Sequence, residues 1–177
     1  MRFLSVDNVL KHKDFLKDLK LKYSVLEKSF PIIKGLSLND ICRVRLGNAE
    51  REEITSLRSN IILHELYFDS FCEEFYPSET VRNQFGSEAN FLYEIECEIS
   101  KNASSEFLLV FFDRKKRLQF KADCDFSEIL LSCTPVLALD LYEHSYFLDY
   151  GFDRKRYIKS ALSYLNLNKI NDFFKTY

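Results

Sequence analysis

The spacing of apolar residues changes near residue 103, and this change limits the possible fold more than any other feature of the sequence. Before it, most apolar residues recur at intervals of three and four, as in amphipathic helices. After it, short apolar or alternating runs predict three strands of a small antiparallel sheet, at 106–112, 118–121 and 135–140. An amphipathic helix around 157–165 follows. Helices, then a sheet, then a helix predict an α+β fold.

The part of the chain before residue 103 predicts three helices. Pro31 suits the opening turn of a first helix that runs to about Leu46. In the second helix the apolar stripe passes through His64, which therefore points inward. The members of this stripe are Ile54, Leu57, Ile61, His64, Phe68 and Phe71. Ser87 is a suitable N-cap for the third helix.

Composition and charge narrow the class of protein. With 25 basic and 27 acidic residues, the charge balance does not indicate nucleic-acid binding. Five scattered cysteines without a C-x-x-C pair favour a reducing compartment, such as cytoplasm or mitochondrial matrix. No apolar run approaches the ~20 residues of a membrane span. We expect an intracellular protein with a helical hairpin domain over 14–80 and an α/β domain over 81–177.

Two of the three histidines occupy positions suited to metal binding. His64 lies on the buried stripe, and His144 follows Asp140, at the end of the third strand, by four residues. Neutral imidazole and carboxylate oxygen are suitable ligands for Mn, Fe or Zn. The same residues also fit a simpler interpretation, in which His64 is a hydrogen-bonded core residue and the D-x-x-x-H spacing is accidental. The pattern alone leaves both interpretations open.

Several segments carry a resemblance to one family. Residues 140–150, D-L-Y-E-H-S-Y-F-L-D-Y, resemble the D-x-W-E-H-A-Y-Y-L-x-Y signature of the iron/manganese superoxide dismutases. Residues 63–68 resemble the family's N-H-x-x-F-W segment, and residues 16–27 resemble its N-terminal L-P-D-L-P-Y-x-Y-x-A-L-E motif. The resemblance implies a helical hairpin followed by an α/β domain with a three-stranded antiparallel sheet. It also implies conversion of superoxide to dioxygen and hydrogen peroxide.

The resemblance further implies a set of site residues. His64, Asp140 and His144 match three ligands of a single ion, Mn or Fe, which the family binds with the same ligand types. Glu143 matches the acid that hydrogen-bonds the metal-bound histidine of the partner subunit, so a homodimer is expected. Tyr142 stands where the family has a tryptophan in the pocket wall.

The same resemblance predicts that one ligand is missing. Continued without a gap from residues 16–27, the register places Leu38 at the family's first histidine ligand. Four and eight residues further on, it places Cys42 at the next family histidine and Leu46 at the gateway tyrosine.

Two more polar groups of the family site are changed. The glutamine that hydrogen-bonds metal-bound solvent has no direct match, and Asn60 or the Cys124–Asp125 region would take its place. Phe147 replaces a tyrosine that pairs across the dimer with the histidine at the Cys42 position.

Two functions are consistent with this pattern. The first is a superoxide dismutase homologue with weakened or lost activity, because Leu38 offers hydrocarbon where a ligand is needed and the solvent partner has changed. The second is a noncatalytic structural or interaction module that keeps the fold without a metal, comparable to components of mitochondrial ribosomes. In that case the partner is a ribonucleoprotein assembly rather than superoxide.

Overall fold

A computed structural model describes residues 3–74, 76–122 and 124–176 of the chain. The helices and strands, in chain order, are α1 Val6–Ser29, α2 Leu38–Ile41, α3 Asn48–Asp69, α4 Glu79–Phe85, α5 Glu88–Lys101, β1 Phe107–Phe112, β2 Leu118–Lys121, α6 Phe126–Ser132, β3 Thr134–Asp140, α7 Glu143–Tyr150, α8 Arg154–Leu162 and α9 Asn168–Thr176. This succession of helices, a sheet and further helices confirms the predicted α+β class. The division into domains at residue 80 stays a prediction.

The N-terminal part is a hairpin of the two long helices, α1 and α3. Ser5 begins α1 by accepting a hydrogen bond from the backbone N–H of Asn8 at 3.2 Å, as an N-cap residue does. Between the two helices lies a small core. Its buried residues are Leu19, Tyr23, Ile33, Ile41, Ile54 and Ile61. Of the stripe predicted for the second helix, Ile54, Ile61 and His64 are buried in α3, with His64 only 2% exposed. Leu57 and Phe68 are half-buried, and Phe71 lies beyond the end of the helix.

The helix predicted from Pro31 to about Leu46 is wrong. That segment holds only a 3-10 turn at Pro31–Ile33 and the one-turn helix α2. Gly35 separates them with a φ of +73°, a left-handed conformation that ends a helix and suits glycine. The first long helix is instead α1, which lies upstream of Pro31. Residues 16–27, which were matched to a motif before the first helix, lie inside α1.

The sheet has the order β2-β1-β3, and both pairings are antiparallel. All of β1 is buried, as the apolar run predicts for a central strand. Phe107 at the start of β1 is the register partner of Asp140 at the end of β3. Helix α7 begins three residues later, so the end of β3 and the first turn of α7 meet at one edge of the sheet.

The larger hydrophobic core surrounds the sheet. Buried residues of α5, such as Phe91 and Ile95, and of α8, such as Tyr157 and Ala161, pack with the strands there. Helix α3 contacts both cores, because Leu63 and Tyr67 belong to the larger one and Ile54 and Ile61 to the smaller. Among the described residues, no helix combines the length and hydrophobicity that crossing a bilayer requires.

Candidate metal centre

Four potential metal ligands converge where the hairpin meets the sheet. One ligand atom from each of His12, His64, Asp140 and His144 lies within 4.8 Å of the others. The four residues come from α1, α3, the end of β3 and α7, so the group joins both parts of the chain. Three of them are buried, while the side chain of His144 is 28% exposed.

The three imidazoles point at one carboxylate oxygen. Asp140 Oδ2 lies 3.0 Å from His12 Nε2, 3.3 Å from His64 Nε2 and 3.0 Å from His144 Nε2. In addition, the Nε2 atoms of His64 and His144 lie 3.4 Å apart.

Hydrogen bonds do not satisfy this arrangement. His12 Nε2 and Asp140 Oδ2 are both buried and lie 3.0 Å apart, yet neither atom has a hydrogen-bond partner among the described residues. Buried polar atoms are nearly always paired, so such a group needs another partner. Lone pairs of imidazole and carboxylate aimed at a shared point are what a divalent or trivalent cation requires, and the donor set fits Fe or Mn.

The protonation states also favour ligation. Burial alone would raise the pKa of the Asp140 carboxyl, but the close approach of the His12 and His144 imidazoles, each 3.0 Å from Oδ2, outweighs it and lowers that pKa to about 2. Burial lowers the pKa of His64, and the nearby Asp140 charge only partly opposes this. At neutral pH the centre therefore presents an ionised carboxylate and a neutral His64, the forms that bind metal.

The backbone of Asp140 is held by buried hydroxyl groups. Its carbonyl oxygen accepts a hydrogen bond from Tyr157 Oη at 2.7 Å and one from Ser145 Oγ at 3.1 Å. Its carboxylate Oδ1 accepts from the backbone N–H of Tyr142 at 2.9 Å. These contacts fix the carboxylate at the strand end and leave Oδ2 directed at the histidines.

Two of the histidines are held in different ways. His64 Nδ1 lies 2.7 Å from the carbonyl oxygen of Asn60, one helical turn earlier. A proton on Nδ1 donates to that oxygen and leaves the lone pair of Nε2 facing Asp140. His12 instead packs between aromatic rings, with Tyr67 and Phe68 each at 4.8 Å between ring centroids.

A cavity of about 320 Å³ opens beside the histidines. Its lining residues are Phe15, Leu19, Asn60, His64, Glu106, Tyr142 and His144. Tyr142 stacks on His144 at 5.4 Å and donates its hydroxyl hydrogen bond to Glu106, which raises the pKa of Tyr142 to about 12. The cavity gives a small molecule a route to His64 and His144, two of the four converging side chains.

Comparison with known proteins identifies the family. The sequence model described as "Iron/manganese superoxide dismutases, C-terminal domain" matches residues 76–173, more than half of the chain. The chain belongs to the iron/manganese superoxide dismutase family. This confirms the resemblance carried by residues 140–150.

Relatives in this family include both metal types. The chain is 33% identical over 123 residues to the iron superoxide dismutase of Cupriavidus metallidurans, a match that covers 66% of the chain and 62% of that relative. It is 31% identical over 132 residues to manganese superoxide dismutase 1 of Halobacterium salinarum, covering 70% of the chain and 64% of the relative. The chain thus spans less than two thirds of the length of each. Because the relatives include iron and manganese dismutases, and because a buried His/Asp group can bind either ion, both metals fit this centre.

The structure does not confirm that Leu38 replaces a ligand. Leu38 is a buried residue of α2, whereas His12 of α1 supplies the fourth donor of the group. Cys42 and Leu46 follow α2 and also lie outside the four-donor group. Residues 16–27 lie inside α1, after His12. Counting family positions forward from them therefore passes over His12 and places the ligand position too far along the chain.

A signal for His12 is present in the sequence. The buried residues of α1 are Asn8, His12, Leu19 and Tyr23, spaced by four, seven and four as on one helical face. Two of the four are polar, so a search for apolar residues alone does not detect this stripe.

Of the remaining predicted site residues, Tyr142 and Asn60 line the cavity beside the centre. Tyr142 is 43% exposed at the cavity, and Glu143 is exposed in the first turn of α7. Of the two candidates for the family's glutamine position, Asn60 lines the cavity. The carboxylate of Asp125 instead accepts a hydrogen bond from the backbone N–H of Ser127 at 2.9 Å and caps α6.

Proposed function

We propose that this chain is a superoxide dismutase that holds one iron or manganese ion through His12, His64, Asp140 and His144. The observation that carries the proposal is the convergence of these four side chains, whose ligand atoms lie within 4.8 Å of one another. Family membership supplies the reaction class, and the donor set supplies a place for the metal.

When bound, an iron or manganese ion supplies the redox cycling that converts superoxide to dioxygen and hydrogen peroxide. The protein's part is to hold four donors in a buried setting and to admit a small substrate through the cavity. The burial of Asp140, 0% exposed, strengthens its attraction for a cation. We assign Asn60, which lines the cavity, as the side chain that hydrogen-bonds water beside the metal.

Turnover is expected to be slower than that of related dismutases, for a reason other than a missing ligand. The family spacing of four and eight residues, counted from His12, places Leu16 and Lys20 where the family has a histidine and the gateway tyrosine. Lys20 pairs with Glu65 at 2.8 Å. Changes in groups around a metal typically cost about 10–100-fold in affinity or activity.

The cavity itself is poorly suited to attract an anion. Its only charged lining residue among the described part of the chain is Glu106, apart from any proton that the histidines carry. Superoxide is negatively charged, so a carboxylate that lines the cavity would oppose its approach. This gives a second reason for a reduced rate.

The proposal is tested by loading the purified protein with manganese or iron and measuring superoxide removal. We expect activity in one or both metal forms, and loss of activity in His12→Ala and Asp140→Ala. Leu38→Ala serves as the matched control and keeps activity per folded molecule. A folded protein that takes up neither metal and removes no superoxide would contradict the proposal and favour the noncatalytic module.

We further propose a homodimer formed through the outer face of α7. Glu143 is exposed next to His144, the position from which the family's acid reaches the partner subunit. Phe147 and Leu148 of the same helix are 44% and 50% exposed, and Phe152 just after it is 86% exposed. Such clustered apolar exposure is typical of an interaction surface.

The mass of the protein in solution tests the dimer. We expect a dimer by sedimentation equilibrium, and a shift toward monomer in Phe147→Glu and Glu143→Ala. Tyr93→Glu, at an apolar residue of α5 that is 67% exposed, is the control. A monomer at all concentrations would reject this part of the proposal.

A further inference from the structure

The second ring nitrogen of His12 is not held by any described residue. Its Nδ1 is buried and has no hydrogen-bond partner within residues 3–74, 76–122 and 124–176. His64, by contrast, is oriented through Nδ1 by the carbonyl oxygen of Asn60 at 2.7 Å. Metal-binding histidines usually have such a bond, which fixes the tautomer and the ring direction. The direction of His12 must therefore depend on ring packing and on where α1 lies.

Helix α1 is fixed by a polar clamp one turn before His12. Asn8 is 0% exposed, and its side-chain Nδ2 donates to the backbone oxygen of Ser145 and to Asp149 Oδ2, both at 3.0 Å. The backbone N–H of Ser5 donates to the same Asp149 oxygen at 2.8 Å. Tyr150 Oη also donates to the backbone oxygen of Phe3 at 2.6 Å.

The clamp connects α1 and α7, two of the three helices that bring histidines to the centre. Asn8 and His12 lie on the same face of α1, four residues apart, because helical residues at that spacing are stacked. Ser145 directly follows His144, and Asp149 lies one turn further along α7. A shift of α1 against α7 would thus change the distance between His12 and His144.

We propose that Asn8 and Asp149 are positioning residues that set the place of His12 in the metal centre. They hold the helix rather than the ring, and so take over the task that a hydrogen bond to Nδ1 performs in other centres. This inference rests on the proposed metal binding by the four-donor group. It adds to that proposal two residues outside the group, one of them in the first turn of α1.

The alternative is that the clamp only stabilises the fold. Any buried hydrogen bond between two elements stabilises the folded protein, and its loss lowers the free energy of unfolding wherever the bond lies in the molecule. A control of the same kind is Gln84, whose Oε1 accepts from the backbone N–H of Leu118 at 3.0 Å and joins α4 to β2. Loss of this link weakens the fold without changing the relation of α1 to α7.

The test uses cobalt(II) added to metal-free protein, because the visible absorption of this ion depends on the number and arrangement of its ligands. The variants are Asn8→Ala, His12→Ala and Gln84→Ala. We expect Asn8→Ala to bind cobalt about 10–100-fold more weakly than the wild type, with an absorption spectrum changed toward that of His12→Ala. Gln84→Ala is expected to keep the wild-type spectrum and affinity.

A charge exchange tests the pair directly. Asn8→Asp places two carboxylates side by side and should weaken cobalt binding as Asn8→Ala does. Combining it with Asp149→Asn restores one donor between the two side chains, and an amide at 149 still accepts from Ser5. We expect this double variant to regain part of the wild-type affinity and spectrum, though not the contact to the oxygen of Ser145.

The outcomes separate the two proposals. A wild type that binds cobalt, together with an Asn8→Ala variant of unchanged affinity and spectrum, would overturn the clamp and leave the proposed function standing. An affinity loss in Asn8→Ala that Gln84→Ala matches, with the wild-type spectrum kept in both, would also overturn it. A wild type that binds no cobalt would overturn both.

Discussion

His12 Nε2 lies 3.0 Å from Asp140 Oδ2, and both side chains are 0% exposed. One residue comes from the first helix of the hairpin and the other from the end of the last strand. Their contact completes a four-donor group that would otherwise have three members. A metal at this point would join the helical hairpin to the sheet, because neither part carries all four donors.

The metal-free protein should lose stability on acidification. The pKa of Asp140 is about 2 in the folded chain, against an ordinary value of 3.8, so its contribution is complete above about pH 5 and lost as the pH falls toward 2. The shift corresponds to about 2 kcal/mol. Burial also lowers the pKa of His64 in the folded chain. The unfolded chain therefore takes up a proton at this histidine first as the pH falls below 6.5, which also lowers the stability of the folded state.

Urea unfolding of chelator-treated protein at pH 7, 5 and 3.5 measures this loss. Asp140→Asn cannot titrate and should show a flatter dependence between pH 5 and 3.5. Equal slopes in the wild type and Asp140→Asn would contradict the assigned role of this carboxylate.

Removing the Tyr157 hydroxyl should weaken the support of Asp140. Tyr157→Phe removes the 2.7 Å hydrogen bond to the Asp140 carbonyl oxygen in a fully buried site. We expect a loss of about 1–2 kcal/mol in the free energy of unfolding. Ser145 Oγ still bonds the same oxygen, so metal binding should be weakened rather than abolished. Tyr93→Phe on the exposed face of α5 is the control, and equal stabilities of the two variants would count against this role.

Leu38 should affect stability and not metal content. Its side chain is 6% exposed, so Leu38→Ala should cost about 2–5 kcal/mol through the cavity it leaves. Leu38→His adds an imidazole in α2, an element that supplies none of the four donors, and should not raise the affinity for manganese. If Leu38→His did bind manganese more tightly than the wild type, the four-donor assignment would be wrong.

The sequence predicts the sheet, α5 and α8 well, because these elements have regular apolar spacing and clear caps such as Ser87. It also predicts that His64 points inward. It does not predict α1, since the buried face of this helix carries Asn8 and His12 beside Leu19 and Tyr23, and its remaining surface is rich in charge. The burial of Asn8 depends on Asp149, far away in the chain, and no local pattern contains that contact.

The segment around α2 has the opposite outcome, because the sequence predicts a long helix there and the structure has only short turns. Pro31 is a sound helix-start signal, but the left-handed Gly35 ends the first turn soon after it. Counting family positions through this segment predicts Leu38 at a ligand position, whereas His12, a member of the buried four-donor group, lies before residue 16, where the count begins. Tertiary contact, rather than sequence register, identifies His12.

Neutralising Glu106 should speed the reaction with superoxide. This exposed carboxylate lines the cavity and accepts the hydrogen bond of Tyr142, which a glutamine can also accept. We expect Glu106→Gln to raise kcat/KM by roughly several-fold at low salt, with a smaller effect at high salt, where the charge is screened. Glu94→Gln, an exposed residue that does not line the cavity, is the control. An unchanged or lower kcat/KM in Glu106→Gln at low salt would show that this charge does not oppose the substrate.

The central claim, that His12 completes a metal centre with His64, Asp140 and His144, is tested most directly by metal content. Protein produced with manganese or iron in the medium is analysed for bound metal, beside His12→Ala and the control Leu38→Ala. We predict about one ion per folded chain in the wild type and in Leu38→Ala. His12→Ala should contain clearly less metal, because its affinity is expected to fall at least about tenfold. A wild type without metal, or a His12→Ala variant that retains as much as the wild type, would contradict the account.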